Sequence, residues 1–540
     1  MRKGLIHEIL ADAAWNFPHV EIVSGNIRST YAKEWERVLQ VAAGLHQLGV
    51  SKGTVIGVLD VNSYRYFELQ FAVSLLGAII HPLNFRLPME DLAYTVQHAR
   101  DDVLFVHSGF QEVGIKLRPY VKHFIWMDEA FLSIAFSEHS ENDFTFEQVI
   151  ALGQTANLSK IELSTAQLQD TDIYSVFYTT GTTGRPKGMQ YRHRDLLHAS
   201  LQIAHHLTIH ETGARLAHGA TIFPLIPFFH IHGWGTPFFA PYLGAKLVLP
   251  ERANVKEQLA LIKQEKVSWS NMVPTQLHML LNEVLQEQEQ QALLALRILT
   301  GGSALPSGLA SRANALGIEF SLIYGGSDQL ATGISALLEP ALTSLQKREI
   351  LSTRIVPLPM VKIDIRGIDG QTVPKDGHTI GEVYVQSPWL PDGYLNDEKR
   401  SQSAYIDGWF RTGDLAVWHE DHTFHVLDRQ KDAVKSGGEW IATSVIEAVL
   451  SELEGVNAVA VIAQTDEHWG ERPIAVIESS TSLSTETVRD HLLQAVQAGR
   501  LAKFWIPDRI LFIPSMPMTS AGKIHKAVLR QQLAEQIEDS

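Results

Sequence analysis

Short apolar runs of the kind that form buried strands alternate along most of this chain with stretches of helical periodicity. The runs at 55–59, 102–106 and 246–249 are mostly apolar, and a helix-patterned stretch at 66–76 follows the first of them. A strand that is apolar on both faces has to be covered on both faces, as in a parallel sheet with helices on each side. The alternation therefore predicts an α/β fold built of doubly wound sheets.

The pattern changes near residue 355, where strand-like runs no longer have helices between them. This part predicts a β-rich subdomain, and a small α+β unit is expected after it. A chain of 540 residues is also too long for one hydrophobic core. We therefore expect a large N-terminal domain over 1–427 and a small, mobile C-terminal domain over 428–540, joined by a hinge. Strands are expected in these parts at 360–365, 381–385, 422–426, 458–462, 474–477 and 510–513.

The charge balance and the lack of cysteine exclude several classes of function. A net charge of −15 at pH 7 argues against non-specific nucleic-acid binding, which needs a basic face. The sequence contains no cysteine, which excludes disulfides, thiolate metal sites and a cysteine nucleophile. It also fits a reducing compartment, and the first residues lack the apolar core of a signal peptide, so a cytoplasmic location is expected.

One stretch, 221–244, has no charged residue and resembles a membrane span in composition. It contains four prolines, which would break a lipid-exposed helix repeatedly. We therefore expect buried core beside a site, and no transmembrane segment. His230 and His232 lie in this stretch. Paired histidines can bind a metal, but no third ligand accompanies them, and a packed core histidine is commoner.

The segment Tyr178–Lys187, YTTGTTGRPK, combines hydroxyl side chains, glycines and a terminal lysine. It follows a strand-like run at 173–177, and a helix is expected after it at 195–206. Backbone N–H groups, hydroxyls and a cation that converge at a strand end suit a polyphosphate. A Walker loop is excluded because Gly-Met, and not Ser or Thr, follows Lys187. The alternative is a flexible surface turn, since loops rich in Gly and Thr are common.

This string, with His193-Arg194 after it, resembles the signature loop of the adenylate-forming (AMP-binding) superfamily of acyl-CoA synthetases, nonribosomal adenylation domains and beetle luciferases. Further motifs match the family in order, at 299–306, 324–328, 408–414, 428–432, 435–441 and 517–526. Together they identify the chain as a member of the acyl-CoA synthetase branch, similar to medium- and long-chain fatty acyl-CoA synthetases. The resemblance implies ATP, Mg²⁺ and, as co-substrate, coenzyme A.

The resemblance assigns the ATP-binding residues. The phosphate loop comprises Thr179, Thr180, Gly181, Thr182, Thr183 and Lys187, with Thr180 and Lys187 acting in catalysis. The nucleotide wall is expected to include Gly302, Ser303, Tyr324, Gly325 and Ser327, and the ribose is expected to contact Asp414 and Arg429. Asp328 stands where the family usually has glutamate and is expected to hold Mg²⁺. Its carboxylate is one methylene shorter, so direct and water-mediated contact both stay open.

The resemblance also assigns the acyl site, the coenzyme A site and the moving parts. Trp234, Gly301 and Gly326 are expected to line the acyl pocket, and His230 to lie near the acyl group, with packing alone as the alternative. The coenzyme A loop is expected to contain Lys435, Gly437, Gly438 and Trp440. Lys523 is expected to enter the active site for adenylation, and Lys431 to be the hinge.

Several activities stay open on the sequence alone. The favoured one is ATP-dependent conversion of a medium- or long-chain fatty acid to its acyl-adenylate and then to acyl-CoA. An acyl-AMP ligase that loads a carrier protein would usually carry an insertion in the linker region, and none is visible. Ligation of a short thioether or aryl acid to coenzyme A and a luciferase-like oxidative role stay open as well. The partners expected are small molecules, and a homodimer stays open.

Overall fold

The computed structural model describes residues 2–128, 143–156, 165–179, 185–284, 291, 293–303, 305–339, 342–479, 482–518 and 524–538. Within these ranges the strands form four sheets. The helices are α1 (Ile6–Asn16), α2 (Tyr31–Gln47), α3 (Tyr64–Leu76), α4 (Met89–Ala99), α5 (Gln111–Leu117), α6 (Phe146–Gln154), α7 (His193–Ile209), α8 (Thr236–Tyr242), α9 (Val255–Gln264), α10 (Pro274–Glu283), α11 (Ser307–Ala315), α12 (Ser344–Thr353), α13 (Glu398–Ala404), α14 (Thr443–Leu450), α15 (Thr485–Gln497) and α16 (Lys526–Glu538). A short helical turn, Ile231–Trp234, precedes α8.

The largest sheet is parallel in its middle and antiparallel at its edges. It is formed by β1 (Glu21–Ser24), β2 (Ile27–Thr30), β10 (Thr221–Pro224), β11 (Lys246–Leu249), β12 (Trp269–Met272), β13 (Arg297–Gly301), β14 (Glu319–Gly326), β15 (Leu330–Ile334) and β16 (Val356–Pro357). The order across it is β16-β15-β14-β13-β12-β10-β11-β1-β2. Strands β10 to β14 and the pair β1/β11 run parallel, because a helix returns the chain between successive strands.

A second sheet has the same doubly wound character. It is formed by β3 (Val55–Leu59), β4 (Ile79–Pro82), β5 (Asp101–Val106), β6 (His123–Trp126), β7 (Asp143–Thr145), β8 (Ile173–Thr179) and β9 (Lys187–Arg192), in the order β7-β6-β5-β3-β4-β8-β9. The first six of these strands are parallel neighbours, and β9 pairs antiparallel with β8.

Two smaller sheets follow. One contains β17 (Lys362–Arg366), β18 (Ile380–Gln386), β19 (Tyr405–Ile406), β20 (Trp409–Trp418) and β21 (Phe424–Arg429), and its pairs are antiparallel. The other contains β22 (Val434–Ser436), β23 (Glu439–Ile441), β24 (Val456–Asp466), β25 (Gly470–Ser479) and β26 (Arg509–Ile513). The predicted fold class, doubly wound sheets with a β-rich part and a smaller C-terminal α+β part, is confirmed.

One hydrophobic cluster joins the two large sheets. Its fully buried members include Ile56 of β3, Tyr174 of β8 and Trp269 of β12, and helices α1, α2, α3 and α7 contribute further members. The C-terminal sheet packs α14 and α15 on a separate cluster that begins at Val434. Burial of apolar surface on this scale is the main favourable term in folding.

The sequence prediction needed two corrections. It expected a helix directly after the phosphate loop, but β9 comes first, so the loop joins two antiparallel strands. It expected a strand at 422–426, but β21 spans Phe424–Arg429, because His422 turns the chain with a φ of 65° and the strand begins only after this turn. The stretch 221–244 is largely buried, as expected. No helix in the described ranges combines the length and the apolar character needed to cross a bilayer.

Candidate active site

The parallel strands of the largest sheet direct the chain to one edge. Strands β10, β12, β13 and β14 all run in the same direction, so their carboxyl ends, at Pro224, Met272, Gly301 and Gly326, lie along that edge. In open α/β sheets this is where ligands bind. Of the predicted nucleotide and acyl residues, His230 and Trp234 follow β10, Gly302 and Ser303 follow β13, and Ser327 and Asp328 follow β14.

The phosphate loop begins and ends on the second sheet. Thr180, Gly181, Thr182 and Thr183 lie outside the described residues, but Thr179 and Lys187 are paired across β8 and β9. The loop ends also contact α4. Tyr178 Oη lies 2.8 Å from Nδ1 of His98, and the Arg185 guanidinium lies 4.9 Å from the centroid of the Tyr94 ring.

Lys187 and Asp328 both contact Tyr394, one at the ring and the other at the hydroxyl. Lys187 Nζ lies 4.4 Å from the centroid of the Tyr394 ring, within the range of a cation–π contact. Tyr394 Oη donates to Asp328 Oδ2 at 2.6 Å. Burial raises the pKa of Asp328, whereas the Tyr394 hydrogen bond and the charges of Lys187 and Arg429 lower it. The two predicted cations therefore act on the predicted metal ligand.

Two further tyrosines hold the backbone next to this carboxylate. Tyr405 Oη donates to the carbonyl oxygen of Asp328 at 2.9 Å, and Tyr191 Oη donates to that of Ser327. Burial raises the pKa of each of these phenols, and of Tyr394, well above the usual value, so they stay protonated donors. The Ser327–Asp328 turn is thus held by three phenols, of which Tyr191 and Tyr394 are buried and Tyr405 is half-buried.

A second carboxylate, Asp414, is buried between a phenol and a guanidinium. Tyr324 Oη donates to Asp414 Oδ2 at 2.7 Å, and Arg429 Nε lies 2.7 Å from Oδ1. Burial raises the pKa of Asp414, and Arg429 opposes this rise. The pairing of β20 with β21 places Asp414 opposite Arg429, and the Tyr324 ring packs edge-on against Phe424. The three predicted ribose and adenine residues therefore form one contact group.

These residues fit the groups that the resemblance implies. Asp328 Oδ1 has no hydrogen-bond partner among the described residues, so one oxygen can face a metal ion. No group of three His, Cys, Asp or Glu side chains in the described ranges could hold a metal alone. Mg²⁺ is commonly held by one or two carboxylates together with substrate phosphates, so a single carboxylate is enough. Asp414 has lone pairs beyond the two in use, as binding of ribose hydroxyls requires.

Packing requires glycine at two positions of the predicted site, Gly301 of the acyl pocket and Gly325 of the nucleotide wall. A Cβ on Gly301 would lie 2.5 Å from the carbonyl oxygen of Ile323, and one on Gly325 would lie 2.1 Å from that of Leu330. Gly302, Ser303 and Gly326 are exposed at the sheet edge.

The predicted acyl residues follow β10. His230 and Trp234 are both half-buried in the segment 224–234, which leads away from the end of β10. His232 between them is fully buried against the rings of Tyr174, Phe177 and Phe238, and burial lowers its pKa to about 3. It is therefore a neutral core histidine.

The predicted coenzyme A residues contact one another in the C-terminal sheet. Lys435 Nζ lies 5.8 Å from the centroid of the Trp440 ring, and the Gly437 N–H donates to Trp469 O at 2.8 Å. Gly437 and Gly438 form the turn between β22 and β23, with φ of 59° and 87°. The contacts described for these residues stay within the C-terminal part and do not reach Asp328. Lys523 lies outside the described residues, and Lys431 is exposed between β21 and β22.

Replacing Asp414 by asparagine is expected to raise the ATP concentration needed for half-maximal adenylation by about tenfold to a hundredfold, because a hydrogen bond to a charged group contributes about 1.5–3 kcal/mol. ATP titration of pyrophosphate release measures this. Asp364→Asn is the matched control, since Asp364 also pairs with an arginine, Arg366, at 2.7 Å. If both variants titrate alike, Asp414 is not a ribose ligand.

Replacing Asp328 by asparagine is expected to raise the Mg²⁺ requirement of adenylation steeply, because it removes the charge that attracts the ion. Tyr394→Phe keeps the aromatic ring next to Lys187 but loses the hydrogen bond to Asp328. We expect it to raise the Mg²⁺ concentration needed for half-maximal adenylation by about threefold to tenfold. Mg²⁺ titration of pyrophosphate release tests both. Asp328→Glu separates direct from water-mediated contact. The longer side chain should lower the Mg²⁺ requirement if the aspartate has to reach the ion directly, and should leave it unchanged if a water already fills the gap. A parental Mg²⁺ titration for Asp328→Asn would exclude Asp328 as a ligand.

The tyrosines 191, 394 and 405 are the site residues that sequence reasoning missed. Each is an ordinary half-buried or buried aromatic in its local sequence, and its partner lies 66 to 136 residues away along the chain. The Pro-Asp-Gly turn before Tyr394 predicts a loop there, but not its contact with Asp328.

Comparison with known proteins gives a consistent assignment. The family model described as AMP-binding enzyme matches residues 10–395, and that described as AMP-binding enzyme C-terminal domain matches 445–523. A long-chain-fatty-acid–CoA ligase of Thermus thermophilus is 34% identical, over 97% of this chain and 95% of the relative. A medium-chain-fatty-acid–CoA ligase of Ectopseudomonas oleovorans is 31% identical, over 95% and 92%.

The solved structures agree on the fold. The crystal structure of an anthranilate CoA ligase in complex with anthranoyl-AMP superposes with a TM-score of 0.80 at 23% identity, over 98% of both chains. The two family models together cover most of the chain, and the two fatty-acid ligases match almost all of it. The chain therefore belongs to the AMP-binding enzyme family, in its acyl-CoA synthetase branch.

Proposed function

We propose that this acyl-CoA ligase takes a medium- or long-chain fatty acid as its substrate and coenzyme A as the acyl acceptor. The observation that carries its ATP-dependent step is that Tyr394 contacts both Lys187 and Asp328, that Tyr324 and Arg429 both contact Asp414, and that the Arg429 charge also acts on Asp328. A nucleoside triphosphate is bound by groups of this kind: cations for the phosphates, one carboxylate for a metal ion and one carboxylate for the ribose. The two fatty-acid ligases to which the chain is similar support the acyl part of the proposal.

The first half-reaction joins the acid to AMP. A carboxylate oxygen of the acid attacks the α-phosphorus of ATP, the new O–P bond forms, and the bond to pyrophosphate breaks. Lys187 and the phosphate loop stabilise the charge on the phosphate oxygens, and Asp414 and Arg429 hold the ribose. Asp328 would hold Mg²⁺ together with phosphate oxygens, and Mg²⁺, when bound, offsets charge that develops on the pyrophosphate.

The second half-reaction uses the C-terminal part. We place the division at residue 428, since the C-terminal unit has hydrophobic clusters of its own from Val434 onward. This unit would turn about Lys431, withdraw Lys523, and bring the Lys435–Trp440 loop to the adenylate. The coenzyme A thiolate then attacks the acyl carbon, the thioester forms, and AMP leaves.

A substrate panel tests the proposal. Medium-chain, long-chain, thioether and aryl acids are each incubated with ATP and Mg²⁺, and pyrophosphate is measured before coenzyme A is added and AMP after. We expect the highest kcat/KM with a straight-chain fatty acid, and thiol consumption equal to AMP formed. A preference for an aryl or thioether acid would overturn the chain-length proposal. Adenylate formation without thiol consumption would favour a carrier-protein ligase.

A further inference from the structure

The segment that carries His230 and Trp234 has an unusual backbone. Ile231, His232 and Trp234 have φ of 36°, 40° and 54°, and Gly233 and Gly235 also have positive φ. A run of left-handed residues with side chains is unfavourable for L-amino acids, so the surrounding structure has to hold it in place. Strain of this kind is concentrated at ligand sites.

One set of contacts comes from Asn62, which follows β3 in the second sheet. Its side chain is 4% exposed and makes three hydrogen bonds to the backbone of the segment. Nδ2 donates to the carbonyl oxygens of Pro224 and Ile226 at 3.0 and 2.9 Å, and Oδ1 accepts from the Phe228 N–H at 2.8 Å. The amide thus fixes the first half of the segment.

The other set comes from Asn271, in β12 of the largest sheet. This side chain is fully buried. Its Oδ1 accepts from the Ile226 N–H at 3.3 Å, and its Nδ2 donates to the carbonyl oxygen of Gly233 at 2.9 Å. Asn271 therefore connects the start of the segment to the left-handed run next to Trp234.

We infer that Asn62 and Asn271 are positioning residues that hold the 224–234 segment against both sheets and thereby set which acids the enzyme prefers. The inference rests on the proposed acyl site at His230 and Trp234. An asparagine amide is suited to this role because it donates and accepts at once, and the segment offers both kinds of backbone group. Because these hydrogen bonds fix the backbone of the segment, they restrict where the Trp234 side chain can lie, and with it the shape of the proposed acyl pocket.

The test uses Asn62→Asp and Asn271→Asp in the full-length enzyme. Aspartate keeps the volume and the acceptor but places an oxygen against the carbonyls of Pro224, Ile226 or Gly233. We expect the ratio of kcat/KM for the longest and shortest acids of the panel to change by about tenfold or more, because small displacements of a substrate wall have effects of this size. The KM for ATP is expected to stay at the parental value.

Ser270→Ala is the matched control. Ser270 is also fully buried in β12, but its hydroxyl donates to Phe223 O, before the segment begins. This variant is expected to lose stability without a change in acid preference. Asn62→Ala and Asn271→Ala provide the same comparison if an aspartate variant does not fold.

The outcomes distinguish the inference from the proposed function. An equal loss of kcat/KM for every acid, or the same shift in Ser270→Ala, would show a purely structural role and overturn the inference. If the parent enzyme prefers an aryl or thioether acid, the proposed substrate is wrong. The ratio of kcat/KM for the longest and shortest acids of that class is then compared between the parent enzyme and the two asparagine variants, and a change in this ratio still supports the inference.

Discussion

Replacing Lys523 by alanine is expected to slow adenylate formation by about 10²- to 10³-fold and to leave the conversion of supplied acyl-adenylate and coenzyme A intact. A positioned cation that stabilises developing charge contributes this much to a transition state. Lys523 itself lies outside the described residues, but the segments before and after it are hydrogen-bonded to each other. Met518 and Ile524 form an antiparallel bridge, and the His525 N–H donates to Pro517 O at 2.7 Å.

The two half-reactions are measured separately for this variant. Pyrophosphate release without coenzyme A reports adenylation, and AMP release from synthetic acyl-adenylate with coenzyme A reports thioester formation. Lys503→Ala is the matched control, because Lys503 is an exposed lysine of the same C-terminal part and its loss changes the net charge equally. Equal loss in both half-reactions would contradict a scheme in which Lys523 leaves the site after adenylation.

Proline at position 431 is expected to have the opposite effect, because it fixes φ in the proposed hinge. The partners of the backbone N–H groups differ on the two sides of this residue. The Gln430 N–H donates to Gly413 O of the large part, whereas the N–H groups of Asp432 and Ala433 donate to Arg429 O. We expect adenylation near the parental rate and thioester formation slower by about 10²-fold, since the loop at Gly437 would no longer reach the adenylate.

Lys431→Ala is the control for the proline variant. It removes the same side chain without restricting the backbone, so both half-reactions should stay close to the parental rates. Single-turnover measurements with each substrate pair give the two rates directly. Full activity of Lys431→Pro in both half-reactions would place the hinge elsewhere.

The sequence alone determined the fold class, many of the buried strands and the family. Continuous apolar runs as short as Val55–Leu59 are typical of buried strands, so local composition and length are enough to predict them. The motif residues Lys187, Asp328, Asp414 and Arg429 were also found from sequence, because each stands in a short string that is recognisable without its neighbours in space.

The tertiary structure decided which groups hold these residues in place. Strand β9 has a mixed sequence, KGMQYR, and becomes a strand because β8 offers it an edge. Tyr394 lies 66 residues from Asp328, and Asn62 lies 164 residues from Ile226, so nothing in either local sequence indicates the partner. Such hydrogen bonds depend on distance and angle in space, and only the packing of elements that are distant in sequence sets these.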